Sequence, residues 1–225
     1  MSILLDQLTI EDKESLVDFD ASVCESSTNP PEKKIIKESV PFSNVTYDFS
    51  AINGELYWEE RKLEYVFEII ADAPQKLEQK KTAFSSWVMS VQNAKIYDPY
   101  IEDFHFVGTF ESIKYDDEEH KEKTTATVIF TAYPYKISNL PKMYHYQLSA
   151  SEELEVMILN ESSHKITPTI ICDVPITLKI GNTIFSVSAG ETTDETLELE
   201  AGQTAISIQS EEAGNITFSF YEEVF

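Results

Sequence analysis

The chain has 225 residues, of which 42% are hydrophobic and 12% aromatic, so it can bury the core of one large globular domain or of two modest ones. Its 17 lysine and arginine residues stand against 40 acidic ones, and the net charge is −23. Phosphates of nucleic acids and anionic lipid headgroups repel such a surface, so we exclude direct nucleic-acid binding and peripheral membrane binding. We also expect no signal peptide and no membrane span, because the sequence shows no basic leader and no apolar run of sufficient length.

The first 70 residues predict extended structure. A loop is expected around Pro30-Pro31, since proline cannot donate the hydrogen bonds of a β-ladder. Residues 35–49 are predicted to be extended, and Asn53-Gly54 is typical of a tight turn. Residues 55–70 alternate in part and end on the apolar run YVFEII, which predicts a strand with one buried face.

The next segment predicts an amphipathic helix, the only convincing one in the chain. Asp72 is placed to cap it, Pro74 suits its first turn, and Gln75 completes the spacing of a capping box. A helix of about 17 residues with one apolar face is expected to pack against a sheet. That face consists of Leu77, Phe84, Val88 and Val91, with Trp87 beside them.

Two β segments follow the helix, and together they predict a long β-hairpin. The first is NAKIYDPYIEDFHFVGTFESIKY and the second is EKTTATVIFTAYPYKI, and the charged octet 116–123 forms the expected tip between them. Tyr133-Pro134-Tyr135 closes this unit, because proline ends regular ladder pairing.

From about residue 139 the pattern changes to short strand-like runs, punctuated by glycines and asparagines and spaced roughly ten residues apart, as in a β-sandwich. The predicted fold is therefore mainly β (α+β), with an N-terminal β-rich domain at 1–138 and a C-terminal sandwich domain at 139–225. The runs are 154–160, 167–173, 176–180, 183–188, 195–200, 204–209 and 215–221.

Motifs of known enzyme classes are missing from the sequence. It contains no nucleophile elbow, no phosphate-binding or dinucleotide-binding glycine loop and no zinc-protease motif, and the isolated Cys24 and Cys172 indicate two reduced thiols. We therefore predict no enzyme, no catalytic residue and no cofactor.

Two clusters of polar residues are weaker candidates for a metal site and a catalytic site. His105, beside Asp98, Glu102 and Asp103, has the composition of a metal site, but an acidic chain forms such neighbours by chance, and we predict no metal. The carboxylates at 59, 60 and 64 could satisfy the separation of a glycosidase pair, as almost any acidic strand could.

Arg61 is the only arginine in the chain, and three hypotheses account for it. Its guanidinium could form an ion pair with a neighbouring glutamate, stack on Trp58 or Tyr65, or make an intersubunit contact. The aromatic series around Tyr97 and Tyr100 could form a sugar-stacking platform, but its spacing more often indicates core or interface. Our predicted oligomer interface consists of Trp58, Arg61, Tyr65, Tyr97 and Tyr100.

Four sequence features occur in the same order as in one protein family. The features are the extended VPFSN…YDFS segment, the strand from Tyr57 through Arg61 into YVFEI, the helix ending near Trp87, and the pair IYDPYIEDFHFVGTF…TTATVIFTAYPYKI. This set resembles the distal tail proteins (Dit) of siphophages and prophages of Gram-positive bacteria, whose C-terminal domain is a galectin-like β-sandwich. In that family a glycine commonly follows the Val-Pro pair, where this sequence has Phe42.

The resemblance implies a structural role in host adhesion. Proteins of this family form a homo-hexamer, a ring at the tail tip built by the N-terminal domains. The ring joins the tail tube protein to the tail-associated (lysin or fibre hub) protein and to receptor-binding or baseplate proteins. The implied location is the virion, after assembly in the cytoplasm of the host bacterium.

Two alternatives stay open at this point. A carbohydrate-binding β-sandwich for host cell-wall saccharide needs an exposed row of aromatic rings, but residues 150–225 contain no tryptophan and only Tyr221. Another phage tail or baseplate structural protein would share the assembly role and differ in ring stoichiometry and position.

Overall fold

The computed structural model describes residues 6–39, 41–42, 44–51, 56–118 and 122–225. The chain forms two compact units: the first ends at Lys136 and also includes Phe225, and the second is Ile137–Val224. Both are built mostly of antiparallel strands, so the prediction of a mainly-β fold is confirmed. Within the described residues no helix is both long enough and apolar enough to cross a membrane.

The first unit is organised around one antiparallel sheet in the order β2-β1-β7-β8-β9-β6-β3, and β4 and β5 form a separate two-stranded pair. In chain order its elements are β1 (Thr9–Ile10), β2 (Lys13–Glu14), α1 (Ser15–Phe19), β3 (Ala21–Ser27), β4 (Lys37–Ser39), β5 (Thr46–Asp48), β6 (Arg61–Ile70), α2 (Pro74–Met89), β7 (Ala94–Tyr97), β8 (Phe104–Asp117) and β9 (Lys123–Ala132).

Strand β6 shows why the sheet has one buried face. Every odd-numbered residue from Arg61 to Ile69 is buried, whereas Lys62, Glu64 and Ile70 are exposed, because side chains on a strand alternate between faces. Its neighbour β9 repeats the pattern in register, with Tyr65 opposite Val128. The predicted strand with a buried face is confirmed.

Helix α2 covers that buried face, as predicted. Its buried side chains are Leu77, Phe84, Trp87 and Val88, and the ring of Phe84 lies 4.9 Å from that of Phe67 on β6. The predicted cap is wrong: Ala73 is the N-cap residue, and Asp72 instead pairs with Lys76 one turn later, with an Oδ2–Nζ distance of 2.7 Å.

The short helix α1 was not predicted, because five residues are too few to show a helical period. Ser15 fixes its start, since its hydroxyl accepts a hydrogen bond from the backbone N–H of Leu8 at 3.0 Å. Phe19 at its end stacks on Trp87 with 4.5 Å between ring centroids. The α1 segment therefore completes the core between α2 and the sheet.

The predicted hairpin is confirmed as the antiparallel pair β8–β9, but its first predicted segment is two strands, because residues 98–103 separate β7 from β8 and the two pair with each other. A bulge between Phe110 and Ser112 shifts its register. Asp116, Asp117 and Lys123 belong to the strands rather than to the tip, and residues 119–121 of the predicted tip lie outside the described residues.

The second unit contains two four-stranded antiparallel sheets, in the orders β11-β18-β13-β16 and β12-β17-β14-β15, while β10 pairs with β19. Apolar residues of both sheets form one core cluster, which makes the unit a β-sandwich. The strands are β10 (Lys136–Ser138), β11 (Lys142–Leu148), β12 (Glu153–Asn160), β13 (Thr169–Cys172), β14 (Ile176–Ile180), β15 (Thr183–Val187), β16 (Gly190–Thr193), β17 (Gly202–Gln209), β18 (Gly214–Phe220) and β19 (Glu223–Val224).

Most of the predicted runs are strands, but one prediction is wrong. Residues 195–200 turn and bury Leu197 and Leu199 without ladder pairing beyond an isolated bridge between Ile166 and Leu199, and the neighbouring strand is β16 instead. The predicted turn at Gly181-Asn182 joins β14 to β15, and Gly181 adopts a φ of 57°, which glycine accommodates readily.

Tyrosines of β11 close one edge of the sandwich. The hydroxyl of Tyr144 donates to Leu159 O at 3.0 Å and accepts from Leu159 N at 3.2 Å, and Tyr146 reaches Met157 O at 3.5 Å. The outer strand β12 therefore has part of its backbone satisfied by side chains, which blocks pairing with another chain there.

Candidate assembly surface

We define the arm as the described residues between Glu32 and Glu59, which stand outside the core of the first unit. Its outgoing chain contains β4 and its returning chain contains β5. Two backbone hydrogen bonds extend the ladder towards its root, from Lys34 N to Tyr57 O at 2.9 Å and from Glu59 N to Glu32 O at 2.8 Å. The predicted turn at Asn53-Gly54 lies outside the described residues.

The arm exposes many large apolar side chains. A two-stranded pair has no room for a core of its own, so these side chains stay in water unless another surface covers them. Tyr47 and Phe49 stack on each other with 6.3 Å between centroids. The exposed apolar residues of the arm are Ile35, Ile36, Phe42, Val45, Tyr47, Phe49, Leu56 and Tyr57.

Phe42 is the most exposed of these residues, and its backbone is strained. The side chain is fully exposed, and its φ of 63° lies in the left-handed region that bulky residues rarely adopt. A glycine would remove that strain. An exposed aromatic ring held on a strained backbone, with no contribution to a core, is a candidate for contact with another surface.

The arm carries little net charge. From Glu32 to Glu59 the sequence has three lysines and five acidic residues, a net charge of −2 in a chain whose total is −23. Asp48 is held on the arm because its carboxylate accepts a hydrogen bond from Ser50 N at 2.9 Å, and the hydrogen bonds from Ser50 lower the pKa of Asp48. The exposed apolar side chains, rather than a positive charge, make the arm the candidate assembly surface.

Arg61 fixes the root of the arm. Only 4% of its surface is exposed, and its guanidinium donates hydrogen bonds to Thr28 O at 2.9 Å, to Asn29 O at 2.8 Å and to Pro134 O at 3.2 Å. It lies 5.0 Å from the ring centroid of Phe106, and burial lowers the pKa of the guanidinium. Its partners are thus backbone carbonyls and a phenylalanine ring rather than the glutamate, Trp58 or Tyr65 suggested by the sequence.

Tyr65 is fully buried beside Arg61. Its hydroxyl donates to Asp98 Oδ2 at 3.0 Å, and burial together with the Asp98 carboxylate raises the pKa of Tyr65 well above its usual value. Asp98 also accepts from Tyr100 N at 2.8 Å. The Tyr100 ring is exposed and its hydroxyl donates to Asp6, which raises the pKa of Tyr100 to about 12.

The five residues predicted for the interface therefore occupy different environments. The side chains of Arg61 and Tyr65 are enclosed within the protomer, so they can act on an interface only by positioning other groups. Trp58 pairs with Lys33 at the root of the arm, and its ring lies 4.6 Å from that of Phe225. Tyr97 is half-buried with its ring 5.3 Å from His105, and Tyr100 has an exposed ring. Their role in an interface stays a prediction.

The candidate chemical clusters do not converge on a site. The exposed Glu59 and Glu60 precede β6, the exposed Glu64 lies in β6, and His105 is buried in β8. Among the residues that the structure describes, no group of three or more histidine, cysteine, aspartate or glutamate side chains is arranged to hold a metal ion.

Sequence comparison and structural comparison give different results. No protein-family model matches the sequence, and no curated protein matches it significantly. The structure matches the Dit protein of phage SPP1, described as a paradigm of the hub adsorption apparatus of phages that infect Gram-positive bacteria. The match has a TM-score of 0.67 at 12% identity and covers 96% of this chain and 98% of that one.

The chain shares the Dit fold. The resemblance seen in the sequence is therefore confirmed at the level of the fold, over both units. A chain of the phage P2 baseplate, in its activated conformation with calcium, is more distant, with a TM-score of 0.43 at 8% identity over 95% of this chain and 97% of that one.

Proposed function

We propose that the protein is a non-enzymatic structural component of a phage tail, a distal tail protein whose first unit forms a hexameric ring at the tail tip. The ring joins the tail tube protein to the tail-associated protein and to receptor-binding or baseplate proteins. The Dit fold supports the class of protein. The apolar arm is the single observation that supports assembly through the first unit.

The arm supports a ring on the proposal that it docks on a different surface of a neighbouring copy, which is a heterologous contact. Its apolar side chains project from a pair of strands that cannot cover them, and docking on a neighbouring copy would remove them from water. Burying a large apolar side chain fully contributes about 1.5–3 kcal/mol, so several such contacts per interface oppose the repulsion of acidic subunits. A contact between two different surfaces of the same protein closes into a ring when its rotation allows closure.

Charge sets the condition under which the ring forms. Six chains of −23 each carry a total of −138, so the subunits repel one another at low ionic strength. Salt shortens the Debye length from about 30 Å at 0.01 M to about 8 Å at 0.15 M, and it leaves apolar contacts intact. Assembly by the purified protein is therefore expected to strengthen with salt.

The mass of the purified protein by light scattering at two salt concentrations, with negative-stain images of the same samples, tests this proposal. We expect six-fold rings with an open centre, in larger proportion at the higher salt. Rings that dissociate on adding salt would mean that specific ion pairs hold the interface. Another stoichiometry would favour a different tail or baseplate protein. A strict monomer, even with the tail tube protein added, would contradict the proposal.

A further inference from the structure

The outer face of the sheet β12-β17-β14-β15 contains a groove that the ring does not explain. We call it the trough. It has a volume of about 400 Å³, and a second depression of about 300 Å³ follows on the same face around Thr177, Ser186 and Gln209. The trough is lined by Glu153, Glu155, Val156, Met157, Lys179, Gly181, Ala205, Ile206 and Ser207.

The size of side chains on adjacent strands produces the trough. Its floor is β17, which presents the small side chains of Ala205 and Ser207 to solvent. The walls are the longer side chains of β12 and β14, where Met157 lies opposite Ala205 and Lys179 opposite Ser207. Adjacent strands lie about 4.8 Å apart, so the backbone axes of β12 and β14 are about 10 Å apart, and only the small side chains of β17 lie between the two walls.

One wall carries carboxylates at the spacing of an extended ligand. Glu153 and Glu155 are both exposed, and alternate residues of a strand lie about 7 Å apart along its axis. An extended chain places its own alternate side chains at the same separation. The Ser207 hydroxyl donates to Glu153 and fixes its direction at the floor of the trough, while exposed Met157 supplies an apolar contact on the same wall.

The charge of the second unit selects the ligand. Residues 137–225 have 14 acidic residues and three lysines. Two of those lysines already bind carboxylates: Lys142 is 2.6 Å from both Glu161 and Glu222, and Lys165 is 2.7 Å from Glu198. The third, Lys179, lies on the wall opposite Glu153 and Glu155, so the basic side chains of a ligand have to face the β12 wall. A basic segment is therefore attracted both by the net negative charge of the second unit and by the carboxylates of the β12 wall.

We propose that the trough binds an extended segment of a partner protein that carries lysine or arginine at alternate positions. The identity of that partner as another component of the tail rests on the proposed function, whereas the binding itself does not. Because no aromatic ring is among the residues that line the trough, it lacks the stacking surface that saccharide recognition uses.

The test uses the full-length protein and two acetylated peptides of equal composition. In one, lysine alternates with threonine and valine, and in the other the lysines form one block. Titration calorimetry at 0.15 M salt should show tighter binding of the alternating peptide, and amide shifts in the protein should map to β12 and β17. The double variant Glu153→Gln/Glu155→Gln should weaken binding about five- to tenfold, because it removes two exposed charge pairs, each of which contributes little. Ala205→Phe should abolish binding by filling the floor.

Two matched variants control for charge and bulk. Glu191→Gln/Glu195→Gln removes the same charge from exposed positions elsewhere in the sandwich, and Ile171→Phe adds a ring to the outer face of the other sheet. Both should bind the alternating peptide as the natural chain does. Equal binding of both peptides to every variant would mean that the peptides bind only through non-specific charge attraction, and it would overturn the proposal. Failure of the alternating peptide to bind would do the same, and so would amide shifts at the trough caused by cell-wall oligosaccharide and not by peptide.

Ring formation in the same samples separates this inference from the proposed function. Six-fold rings without peptide binding would overturn the trough alone. Peptide binding by a strict monomer would leave the trough standing and count against the ring.

Discussion

The arm and the sandwich are both built from antiparallel strands, but the sandwich buries its large apolar side chains and the arm exposes them. In the sandwich, Phe218 and its neighbours lie between two sheets, and Tyr144 satisfies the backbone of an outer strand. In the arm, Phe42 and Tyr47 project into water from a single pair of strands. The sandwich therefore buries its large apolar side chains within one protomer, whereas the described residues of the arm leave theirs exposed, and this exposure is why we propose the arm as an interface.

The comparison predicts that the same substitution has opposite consequences in the two regions. Phe218→Ala should lower the free energy of unfolding of the sandwich by about 3–5 kcal/mol, since it leaves a cavity in a closed core. Phe42→Ala should change the free energy of unfolding by less than about 0.5 kcal/mol, since the ring contacts no core. Calorimetric melting of both variants at a protein concentration where the chain is monomeric measures the difference. Similar losses of stability would mean that the arm packs on its own protomer.

Arg61→Lys tests whether the root of the arm depends on the several hydrogen bonds that the planar guanidinium of Arg61 donates at once. Lysine keeps the charge but cannot reach the carbonyls of residues 28, 29 and 134 together, so we expect a loss of about 2–3 kcal/mol. The tryptophans lie only in the first unit, so their fluorescence reports this transition alone. Amide exchange should also accelerate at Lys34 and Glu59.

A suitable control for this variant is Lys62→Met, which removes an exposed ion pair with Glu111 at 2.8 Å. It should cost less than about 0.5 kcal/mol, because exposed pairs contribute little. If the control destabilised the unit as much as Arg61→Lys, the hydrogen bonds of Arg61 would not be what holds the root.

Tyr144→Phe tests the closed edge of the sandwich. Removing the hydroxyl should cost about 1 kcal/mol and should accelerate amide exchange specifically at Leu159, whose N–H loses its acceptor. Tyr146→Phe is the matched comparison, and its longer contact of 3.5 Å predicts a smaller effect. Equal protection of Leu159 in both variants would show that the edge does not need this hydroxyl.

Tyr100 predicts a small change of stability at high pH. Its hydrogen bond to Asp6 raises its pKa to about 12, against about 10 in an unfolded chain. The folded state therefore holds the phenolic proton more tightly, so this contribution to stability is complete below pH 10 and is lost as the pH rises from 10 to 12. Tyr100→Phe should remove that part of the pH dependence, whereas Tyr221→Phe should leave it. Absorbance titration of tyrosinate with both variants checks the assignment.

The sequence predicts those elements whose apolar residues recur with a regular period. Helix α2 and strand β6 were predictable because their apolar residues recur every three to four and every two positions, against a shared core. The hairpin β8–β9 was predictable for the same reason.

Other features depend on contacts between distant positions. The partners of Arg61 are carbonyl oxygens, which every residue carries, so nothing in the sequence marks the residues that accept from it. Ile35 and Ile36 are adjacent on an extended chain and point to opposite faces, yet both are exposed. The sequence shows the arm's apolar residues but not the lack of a core around them. The trough depends on which strands are neighbours across β17, which local pattern does not determine.

Assembly through the arm is tested most directly by comparing the mass of Phe42→Gly with that of the natural chain, by light scattering at the higher salt concentration. Glycine relieves the φ of 63° and removes the exposed ring, so the variant should be at least as stable while forming fewer rings. Met143→Gly, which removes an exposed apolar side chain from the sandwich, should assemble as the natural chain does. Rings of undiminished yield from Phe42→Gly would contradict assembly through the arm.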